Sequence, residues 1–439
     1  MKNRCVFTTP LLLWTGAWRR PALVLVGVML LASLPVGMAL GYEPPAPLAY
    51  VTQRDARLDE PDLCSVSGSV SAIDTRDNRV VASAEVGPGP HGMVISSSGK
   101  KAYVANYGTF PAKLEQARCL SDTVSVLRLD TRRFDGDSDN KPTHTLKVVA
   151  TVTVGPGPLA VAITPDDEEV YVTNFGRDPI LFPGGVPGNT VSVIQTKSNE
   201  VVATIEVGNL PAGVAITPDG KHAYVTNRGD NKVSVIDTAT HTVVSVPDGD
   251  AIKVQTQPAN IAFTPDGRRA YVTNFGSNTV SVIDTATHTV VPVPDGDAIG
   301  DAIKVGIVPI GVAITPDGAQ VYVVNVNFSP VPPFPPGEVS IIDTATNTVV
   351  KTVMVGPGPR AVAITPDGAH AYVTNFLDLL TVDDIPVDGS VSVIEIATNT
   401  VVDTVPVAGG PNWVTITDGH EWCHRSTSIR CRFWPALKR

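Results

Sequence analysis

Short stretches in which apolar and polar residues alternate recur along most of the chain, and turn residues separate them. The clearest repeat runs from Gly213 to Val246 and reads VAITPDG, KHAYVTN, KVSVIDT and TVVSV in order. Alternation with a period of two and short β-branched runs are typical of strands, whereas helices repeat every 3.6 residues. Each repeat is therefore predicted to form four β-strands.

The Thr-Pro-Asp-Gly step between the first two strands predicts a hairpin turn. Proline presets the backbone at the first turn position, aspartate can accept hydrogen bonds from its own backbone, and glycine adopts the left-handed conformation. The step occurs at residues 217–220, 264–267, 315–318 and 365–368.

A tyrosine in the second strand marks seven copies of the repeat. These tyrosines are Tyr50, Tyr103, Tyr171, Tyr224, Tyr271, Tyr322 and Tyr372. They recur roughly every 50 residues, and a four-stranded repeat of this size cannot bury its own faces. Seven such copies predict a closed radial array, the β-propeller.

The two ends of the array complement each other. Tyr50 has no first strand before it, and the strand Asn412–Thr417 has no tyrosine strand after it. The first strands begin at His91, Leu159, Ala212, Ala259, Ile310, Arg360 and Asn412. We therefore predict an all-β fold over residues 42–417, a seven-bladed β-propeller of four-stranded antiparallel blades. The C-terminal strand is expected to complete the N-terminal blade and so remove free sheet edges.

Several polar residues recur in most blades and are interpreted as structural, because a residue present in every blade cannot build one asymmetric site. Asparagines at the end of the second strand are expected to bond the following loop; they are Asn106, Asn174, Asn227, Asn274, Asn325 and Asn375. Aspartates after the third strand are expected to open tight turns, at Asp74, Asp237, Asp284 and Asp343. Paired VPDGDAI segments, with Asp248, Asp250, Asp295 and Asp297, are expected to form bulged turns in consecutive blades.

The segments AYVTNRG at Ala223, AYVTNFG at Ala270 and VYVTNFG at Val170, with ITPDG and VSVIDTAT, resemble the YVTN-family β-propeller repeat. The resemblance covers residues 48–417. It implies an exported or surface protein of bacteria or archaea that has a binding or scaffolding role more than a chemical one. Proteins that share this fold include lactonase-type hydrolases and propeller domains of redox enzymes.

Charge is distributed unevenly along the 439 residues. The chain has a net charge of −10, but residues 42–417 alone hold 24 basic and 41 acidic residues, a net charge of −17. An acidic body repels phosphate backbones, which disfavours nucleic-acid binding. Partners of the propeller, whether proteins or small molecules, are therefore expected to be cationic or neutral.

The first 41 residues are predicted to form an export segment. Basic residues come first, an apolar run extends from Ala22 to Leu40, and small residues offer a cleavage site before Tyr42. An uncleaved anchor is the alternative, because a spanning helix needs ~20 apolar residues. The protein is therefore expected outside the cytoplasm, in the periplasm, at the cell surface or secreted. Residues 418–439 are basic and lack the strand pattern, so they are predicted to form a tail outside the propeller.

Four cysteines remain without the export segment, and an even number suits an oxidising compartment. Cys64 and Cys119 occupy equivalent loops of the first two blades, so a disulfide between them is predicted, with free thiols as the alternative. In the tail, either a disulfide between Cys423 and Cys431 or a disordered segment unrelated to the propeller is preferred to a zinc site, whose usual ligand spacing is absent.

No metal or cofactor is predicted. Asp135, Asp137 and Asp139 alternate as in a calcium loop, but Asn140 stands where the sharp-turn glycine belongs, which favours a solvated hairpin. No Cys-x-x-Cys-His motif occurs, which argues against covalent haem.

Function is expected at the end of the propeller where the blades differ. Long, dissimilar loops are predicted there, at residues 54–67, 107–122, 175–189, 326–337 and 377–389. Irregular loops on a rigid frame are the usual place for recognition, so this rim is our hypothesis for a partner surface.

The channel mouth at the same end should be lined by the residue after each connection proline. This ring includes His91, Arg360 and Asn412, with Trp413 adjacent, and it could bind a small anionic ligand or be ordinary channel lining. Catalysis would need several acid, base or nucleophile side chains to converge, and His91 and Arg360 are the only ionisable members.

We therefore predict a non-catalytic, monomeric binding or scaffold propeller that works outside the cytoplasm. A lactonase-like hydrolase with its site at the channel mouth is one alternative. An accessory propeller of a periplasmic redox complex is another. Membrane contact is expected only through an uncleaved N-terminal segment.

Overall fold

The computed structural model describes residues 47–54, 67–109, 119–132, 143–177, 179, 185–293, 301–327, 335–376 and 389–417. In these residues the chain forms β-strands arranged in seven antiparallel sheets. No helix long and apolar enough to cross a membrane occurs among them. The predicted all-β, seven-bladed propeller is confirmed.

The first three blades follow one another along the chain. Blade 1 begins with β1 (Leu48–Arg54), β2 (Gly68–Asp74) and β3 (Arg79–Val86). Blade 2 consists of β4 (Pro90–Ile95), β5 (Lys101–Thr109), β6 (Cys119–Arg132) and β7 (Thr143–Thr153). Blade 3 consists of β8 (Pro158–Ile163), β9 (Glu169–Gly176), β10 (Pro187–Gln195) and β11 (Glu200–Glu206).

Blades 4 and 5 have an interrupted fourth strand. Blade 4 consists of β12 (Pro211–Ile216), β13 (His222–Asn227), β14 (Lys232–Asp237), β15 (Thr242–Val243) and β16 (Ile252–Lys253). Blade 5 consists of β17 (Pro258–Phe263), β18 (Arg269–Asn274), β19 (Thr279–Asp284), β20 (Thr289–Val290) and β21 (Ala302–Lys304). Both β15 and β16 pair with β14, which confirms the bulge predicted for the first VPDGDAI segment. Asp295 and Asp297 of the second segment lie outside the described residues.

The last two blades and the chain closure complete the ring. Blade 6 consists of β22 (Pro309–Ile314), β23 (Gln320–Asn325), β24 (Pro336–Asp343) and β25 (Thr348–Pro357). Blade 7 consists of β26 (Pro359–Ile364), β27 (His370–Asn375), β28 (Gly389–Glu395) and β29 (Thr400–Val407). The final strand, β30 (Gly410–Ile416), pairs antiparallel with β1, and Tyr50 lies opposite Thr415. The C-terminal strand therefore completes blade 1, as predicted.

The first strands of the blades form an inner ring. Each contacts its neighbours in the order β30, β4, β8, β12, β17, β22, β26 and back to β30. The strands approach closely, because a Cβ atom added at Gly92 would lie 2.7 Å from the carbonyl oxygen of Leu159. Seven apolar clusters fill the spaces between neighbouring blades, one at each junction.

The recurring tyrosines join neighbouring blades. The hydroxyl of Tyr224 lies 2.6 Å from Nδ1 of His288 in blade 5, and that of Tyr372 donates to Oδ1 of Asn78 at 2.6 Å. The second bond connects blade 7 to blade 1 and so contributes to closure. Both partners have a positive φ in the turn between the third and fourth strands, a conformation that Asn and His tolerate.

The recurring asparagines are buried within their own blades. Nδ2 of Asn174 donates to Thr190 Oγ1 at 3.0 Å and to Ser192 Oγ at 2.9 Å. Bonds to third-strand hydroxyls are also made by Asn106, Asn227, Asn274, Asn325 and Asn375. The structural interpretation is supported, but the partner is the third strand and not the following loop, because the buried amide points back into the blade.

The Thr-Pro-Asp-Gly turns have the expected chemistry. Gly220 has a φ of 76°, and the carboxylate of Asp219 accepts from Thr217 Oγ1 at 2.7 Å and from the amide of Lys221 at 3.1 Å. The predicted turns after the third strand are also present, since the amide of Thr240 donates to Asp237 at 2.8 Å.

Several predictions concern residues that the structure does not describe. Cys64, Cys423 and Cys431 lie outside the described ranges, and only the backbone of Cys119 is described, so both disulfides stay predictions. Asp135, Asp137 and Asp139 and most of the long rim loops also lie outside these ranges.

Candidate ligand site at the channel mouth

The two ends of the propeller differ in their connections. The loop end carries the loops after the second strands and the connections between blades, and the hairpin end carries the Thr-Pro-Asp-Gly turns and the turns between third and fourth strands. The predicted lining residues His91, Arg360 and Asn412 all lie near the starts of inner strands, at the loop end.

His91 is the second residue of β4, and three neighbouring groups hold it. Its carbonyl oxygen accepts a hydrogen bond of 2.8 Å from Thr52 Oγ1 in blade 1. Its ring centroid lies 6.3 Å from that of Trp413 and 6.5 Å from that of Tyr107. Residues of blades 1 and 2 thus fix the imidazole at the mouth.

The environment keeps His91 neutral. Burial, together with the positive charges of Arg360 and Arg54, lowers the pKa of this imidazole to about 3. A hydrogen bond to the backbone of Leu159 acts in the opposite direction. Near neutral pH the imidazole therefore adds no positive charge to the mouth.

Asn412 and Trp413 reach the mouth from the C-terminal strand. Nδ2 of Asn412 donates to the carbonyl oxygen of Pro90 at 3.0 Å, so this amide holds β30 against blade 2. Trp413 is half-buried and packs against the apolar clusters on both sides of blade 1. We therefore assign Asn412 a positioning role, while Trp413 keeps a surface that a ligand could contact.

A second ring of side chains lies at the same end, and sequence reasoning missed it. It consists of the residue that follows the recurring asparagine position, namely Arg54, Tyr107, Phe175, Arg228, Phe275, Val326 and Phe376. The asparagine before each position is invariant except in blade 1, which has Gln53. The sequence did offer a signal for this ring. The position after the repeated asparagine varies from blade to blade, whereas the other positions of the second strand are nearly constant.

Two arginines of the mouth are stacked on phenylalanine rings. Cζ of Arg360 lies 4.5 Å from the ring centroid of Phe376, and Cζ of Arg228 lies 4.3 Å from that of Phe275. Stacking of this kind combines cation–π attraction with a weakly hydrated, planar guanidinium group.

Aromatic and apolar side chains support the mouth from behind. The rings of Tyr107 and Phe175 meet edge to face with centroids 6.2 Å apart, and the hydroxyl of Tyr107 donates to the carbonyl of Gly176 at 3.3 Å. Leu210 and Ala212 complete this buried cluster. The side of the mouth formed by blades 2 to 4 therefore contains a buried apolar cluster.

The arrangement offers fixed positive charge next to aromatic surface. Within the described ranges, no group of three or more His, Cys, Asp or Glu side chains could hold a metal ion. The residues assembled here can attract an anion and pack against an apolar group, and His91 is the one acid–base side chain shown to face the arginines.

A separate groove lies between blades 3 and 4. It has a volume of about 370 Å³ and includes Glu206, Asn227, Asp230, Lys232 and Asp250 in its walls. It borders the interruption of the fourth strand of blade 4, because Val244, Ser245 and Ala251 also line it. The groove is polar and does not share the arginines of the mouth.

Comparison with known proteins supports the class of fold. The family described as "Lactonase, 7-bladed beta-propeller" matches residues 185–299. The seven-bladed beta-propeller protein Rv1057 of Mycobacterium tuberculosis is 32% identical over 108 residues, 24% of this chain and 25% of that protein. Antigen Lp49 of Leptospira interrogans is 24% identical over 197 residues, 39% of this chain and 43% of that protein. The chain thus matches less than half the length of these relatives.

A solved structure of similar shape is known. A functionally unknown protein from Desulfotomaculum acetoxidans superimposes with a TM-score of 0.60 at 17% identity, over 85% of this chain and 99% of that one. The fold and these comparisons define the protein as a seven-bladed β-propeller. The narrower resemblance to the YVTN repeat family stays a prediction.

Proposed function

We propose that the protein is an extracytoplasmic binding propeller whose channel mouth, at the loop end, binds a small anionic ligand. The observation that carries the proposal is the convergence of Arg360, Arg54, His91 and Trp413 from blades 7, 1 and 2. Residues far apart in the sequence meet there only because the ring closes.

The electrostatics favour an anion at this place despite the acidic body. The two charged groups that lower the pKa of His91 are both arginines, which favours an anion beside this imidazole. Charges more than about 8–10 Å away are screened at physiological ionic strength, which limits the influence of the acidic hairpin end. A guanidinium group also suits carboxylate and phosphate geometry, because it donates two parallel hydrogen bonds.

The same residues favour binding over catalysis. An acid–base or nucleophilic mechanism needs a donor, an acceptor and an activating group within hydrogen-bond reach. His91 is neutral and is held beside two arginines, which supply binding but no nucleophile. The loops around the mouth add a rim of unequal lengths at which a larger partner could also be recognised.

Thermal unfolding in a panel of anions tests the proposal. We expect acetate or inorganic phosphate at constant ionic strength to raise the unfolding temperature, because a ligand that binds only the native state stabilises it. Arg360→Ala should remove this shift, and Arg268→Ala at the hairpin end should keep it as the matched control. Equal shifts in both variants would contradict an anion site at the mouth.

A lactonase-like hydrolase is the second candidate function. The match of the lactonase propeller family to residues 185–299 favours it. In that case His91 would act as the base, and purified protein should hydrolyse simple lactones with a rate that His91→Gln abolishes. Anion binding without lactone hydrolysis would support the binding function and would exclude the lactonase-like hydrolase.

The extracytoplasmic location rests on the first 41 residues. Mass spectrometry of the protein purified from its natural host should find Tyr42 at the N-terminus. An intact N-terminus in the membrane fraction would support an anchor, and one in the cytosol would contradict export.

A further inference from the structure

The groove between blades 3 and 4 has an excess of negative charge in its walls. Glu206, Asp230 and Asp250 contribute three carboxylates, and Lys232 contributes one ammonium group. Within the described ranges, no hydrogen bond or ion pair engages the side chains of Glu206, Asp250 or Lys232. The residues of the groove therefore do not neutralise one another, and the negative charge remains available to a ligand.

A buried amide in the same wall lacks an acceptor bond. Asn227 lines the groove and is 1% exposed, and its Oδ1 has no hydrogen-bond partner among the residues that the structure describes. Oδ1 is also unpartnered in the other recurring asparagines, but Asn227 differs from them in lining this groove. Burial of a polar atom without a partner is unfavourable, so a donor placed in the groove would be stabilised there.

Blade 5 shows what the amide of Asn227 has lost. There, Nδ2 of Asn274 donates to Thr279 Oγ1 at 3.1 Å and to Ser281 Oγ at 3.0 Å. In blade 4, Lys232 lies opposite Asn227 where blade 5 has the threonine. A lysine ammonium group cannot accept a hydrogen bond, and the amide keeps its bond to the remaining serine alone. The lysine therefore leaves the amide at the groove less satisfied than its counterpart.

A glycine brings the amide and one carboxylate together. A Cβ atom added at Gly208 would lie 2.5 Å from Oδ2 of Asp230 and 2.7 Å from Cγ of Asn227. The carboxylate of Asp230 is fixed, because it accepts from the backbone amide of Asn209 at 2.7 Å and from its side chain at 3.0 Å. A carboxylate can accept about four hydrogen bonds, so this one retains capacity for a ligand.

The charge pattern belongs to this junction and not to the repeat. At the next junction, between blades 4 and 5, Ser277 stands at the position of Asp230, and Lys253 stands at the position of Glu206. The two junctions share their strand pairing, so the repeat does not require carboxylates at these positions.

We propose that this groove binds a small organic cation through a primary ammonium group. Such a group donates three hydrogen bonds, and the groove supplies Oδ1 of Asn227 and three carboxylates as acceptors. The groove volume of about 370 Å³ lies at the lower end of the ~300–1,000 Å³ usual for small-molecule sites. The site shares no residue with the anion site at the channel mouth, so the two proposals are independent.

Calorimetric titration of the full chain with matched cations tests the proposal. Butylammonium and tetramethylammonium have the same atoms and charge, but only butylammonium has N–H donors. At one ionic strength we expect one butylammonium ion to bind per chain, at least about tenfold more tightly than tetramethylammonium. Cadaverine and lysine then distinguish simple amines from basic amino acids, because lysine alone has a carboxylate that Lys232 can attract.

Variants of the groove assign the binding. The double variant Glu206→Gln, Asp250→Asn keeps the size of both side chains and should weaken butylammonium binding at least about tenfold. Both residues are exposed, so the fold should be kept, which the unfolding transition checks. The matched control is Glu85→Gln, because Glu85 is equally exposed and has the same place before Val-Gly in the outer strand of blade 1. This control should leave every affinity unchanged.

Four results would overturn the proposal. They are the absence of binding for every amine, equal affinities for butylammonium and tetramethylammonium, affinities that the double variant does not change, and an equal loss in Glu85→Gln. The last would show attraction to the acidic surface in general. A calcium titration completes the series, and calcium binding tighter than that of every amine would assign the groove to a metal ion instead.

Discussion

At the hairpin end the same residues occupy the same positions in blade after blade, whereas at the loop end equivalent positions differ in size and charge. Asp219, Asp266 and Asp317 each accept from the threonine two residues before them. At the loop end, Arg228 and Phe275 occupy one equivalent position in consecutive blades.

The difference separates groups that hold the fold from groups to which our proposal assigns recognition. The hairpin-end carboxylates accept hydrogen bonds from groups of their own turns. Hydrogen bonds from Thr217 and Thr264 hold the pKa values of Asp219 and Asp266 below the usual range. Arg228 and Arg360 at the loop end stack on phenylalanine rings, and each occupies a position where the neighbouring blades have a different residue. Substitutions at the hairpin end should therefore change stability alone, and those at the mouth should also change binding.

The largest expected effect of one substitution at a single pH concerns the closure of the ring at the loop end. Gly410→Ala places a Cβ atom 2.3 Å from the buried ring of Phe376, so either the ring or the closing strand must shift, at a cost of about 3 kcal/mol in unfolding free energy. In the control Gly276→Ala, the nearest atom is a methyl of Thr256 at 3.0 Å, and the loss should be under about 1 kcal/mol. Urea unfolding measures both, and equal losses would show that the closing strand is not tightly packed there.

The next effect concerns His91 and pH. The unfolded pKa of histidine is about 6.5 and the folded pKa of His91 is about 3, so between these values the unfolded chain binds one more proton. Stability should therefore fall as pH falls from 6.5, by up to about 1.4 kcal/mol per pH unit. His91→Gln should remove this part of the slope in urea unfolding at a series of pH values. An unchanged slope would mean that His91 titrates normally and that the mouth is more open to water.

A smaller effect separates two tyrosines at the hairpin end. Tyr224→Phe loses a hydrogen bond of 2.6 Å to His288 and should cost about 1 kcal/mol. Tyr103→Phe loses a contact of 3.5 Å to the carbonyl of Thr196 and should cost less than half as much. Neither change should alter anion binding at the mouth, and an effect on binding would show that the two ends are coupled.

The smallest effect is the acid sensitivity of the hairpin-end turns. Because the folded pKa of Asp219 lies below its unfolded value, the stability it contributes is present above about pH 4 and is lost as pH falls through the folded pKa. Thr217→Ala removes the main cause of the shift. Its deficit in unfolding temperature relative to the wild type should shrink when pH is lowered from 6 to 3. If the difference in unfolding temperature does not change with pH, Thr217 stabilises the turn mainly through its hydrogen bond with the amide of His222.

The repeat allowed much of the fold to be predicted from the sequence. The pairing of β30 with β1 was predictable because the repeat is incomplete at both ends of the chain. No first strand precedes Tyr50 and no second strand follows the strand at Asn412, and an open propeller would expose two strand edges. The glycine of the Thr-Pro-Asp-Gly turn was predictable because a left-handed position favours that residue.

The candidate site was predictable only in part. His91, Arg360, Asn412 and Trp413 were predicted as a ligand site from their place after the connection prolines, and this stays a prediction. The amide of Asn412 donates to the carbonyl oxygen of Pro90. Arg228 was not predicted because its guanidinium group stacks on Phe275 of the next blade, a contact that no pattern within one repeat reveals.

The sequence by itself determined the number of blades, the order of strands and the closing pair, because these depend on local alternation, turn chemistry and a repeat that is close to constant. Tertiary structure decided which side chains meet at the mouth and what charge they carry. His91 is neutral because closure buries it beside Arg54 and Arg360, which come from different blades. Burial and distance between blades set the electrostatics of the site, and neither exists until the ring has closed.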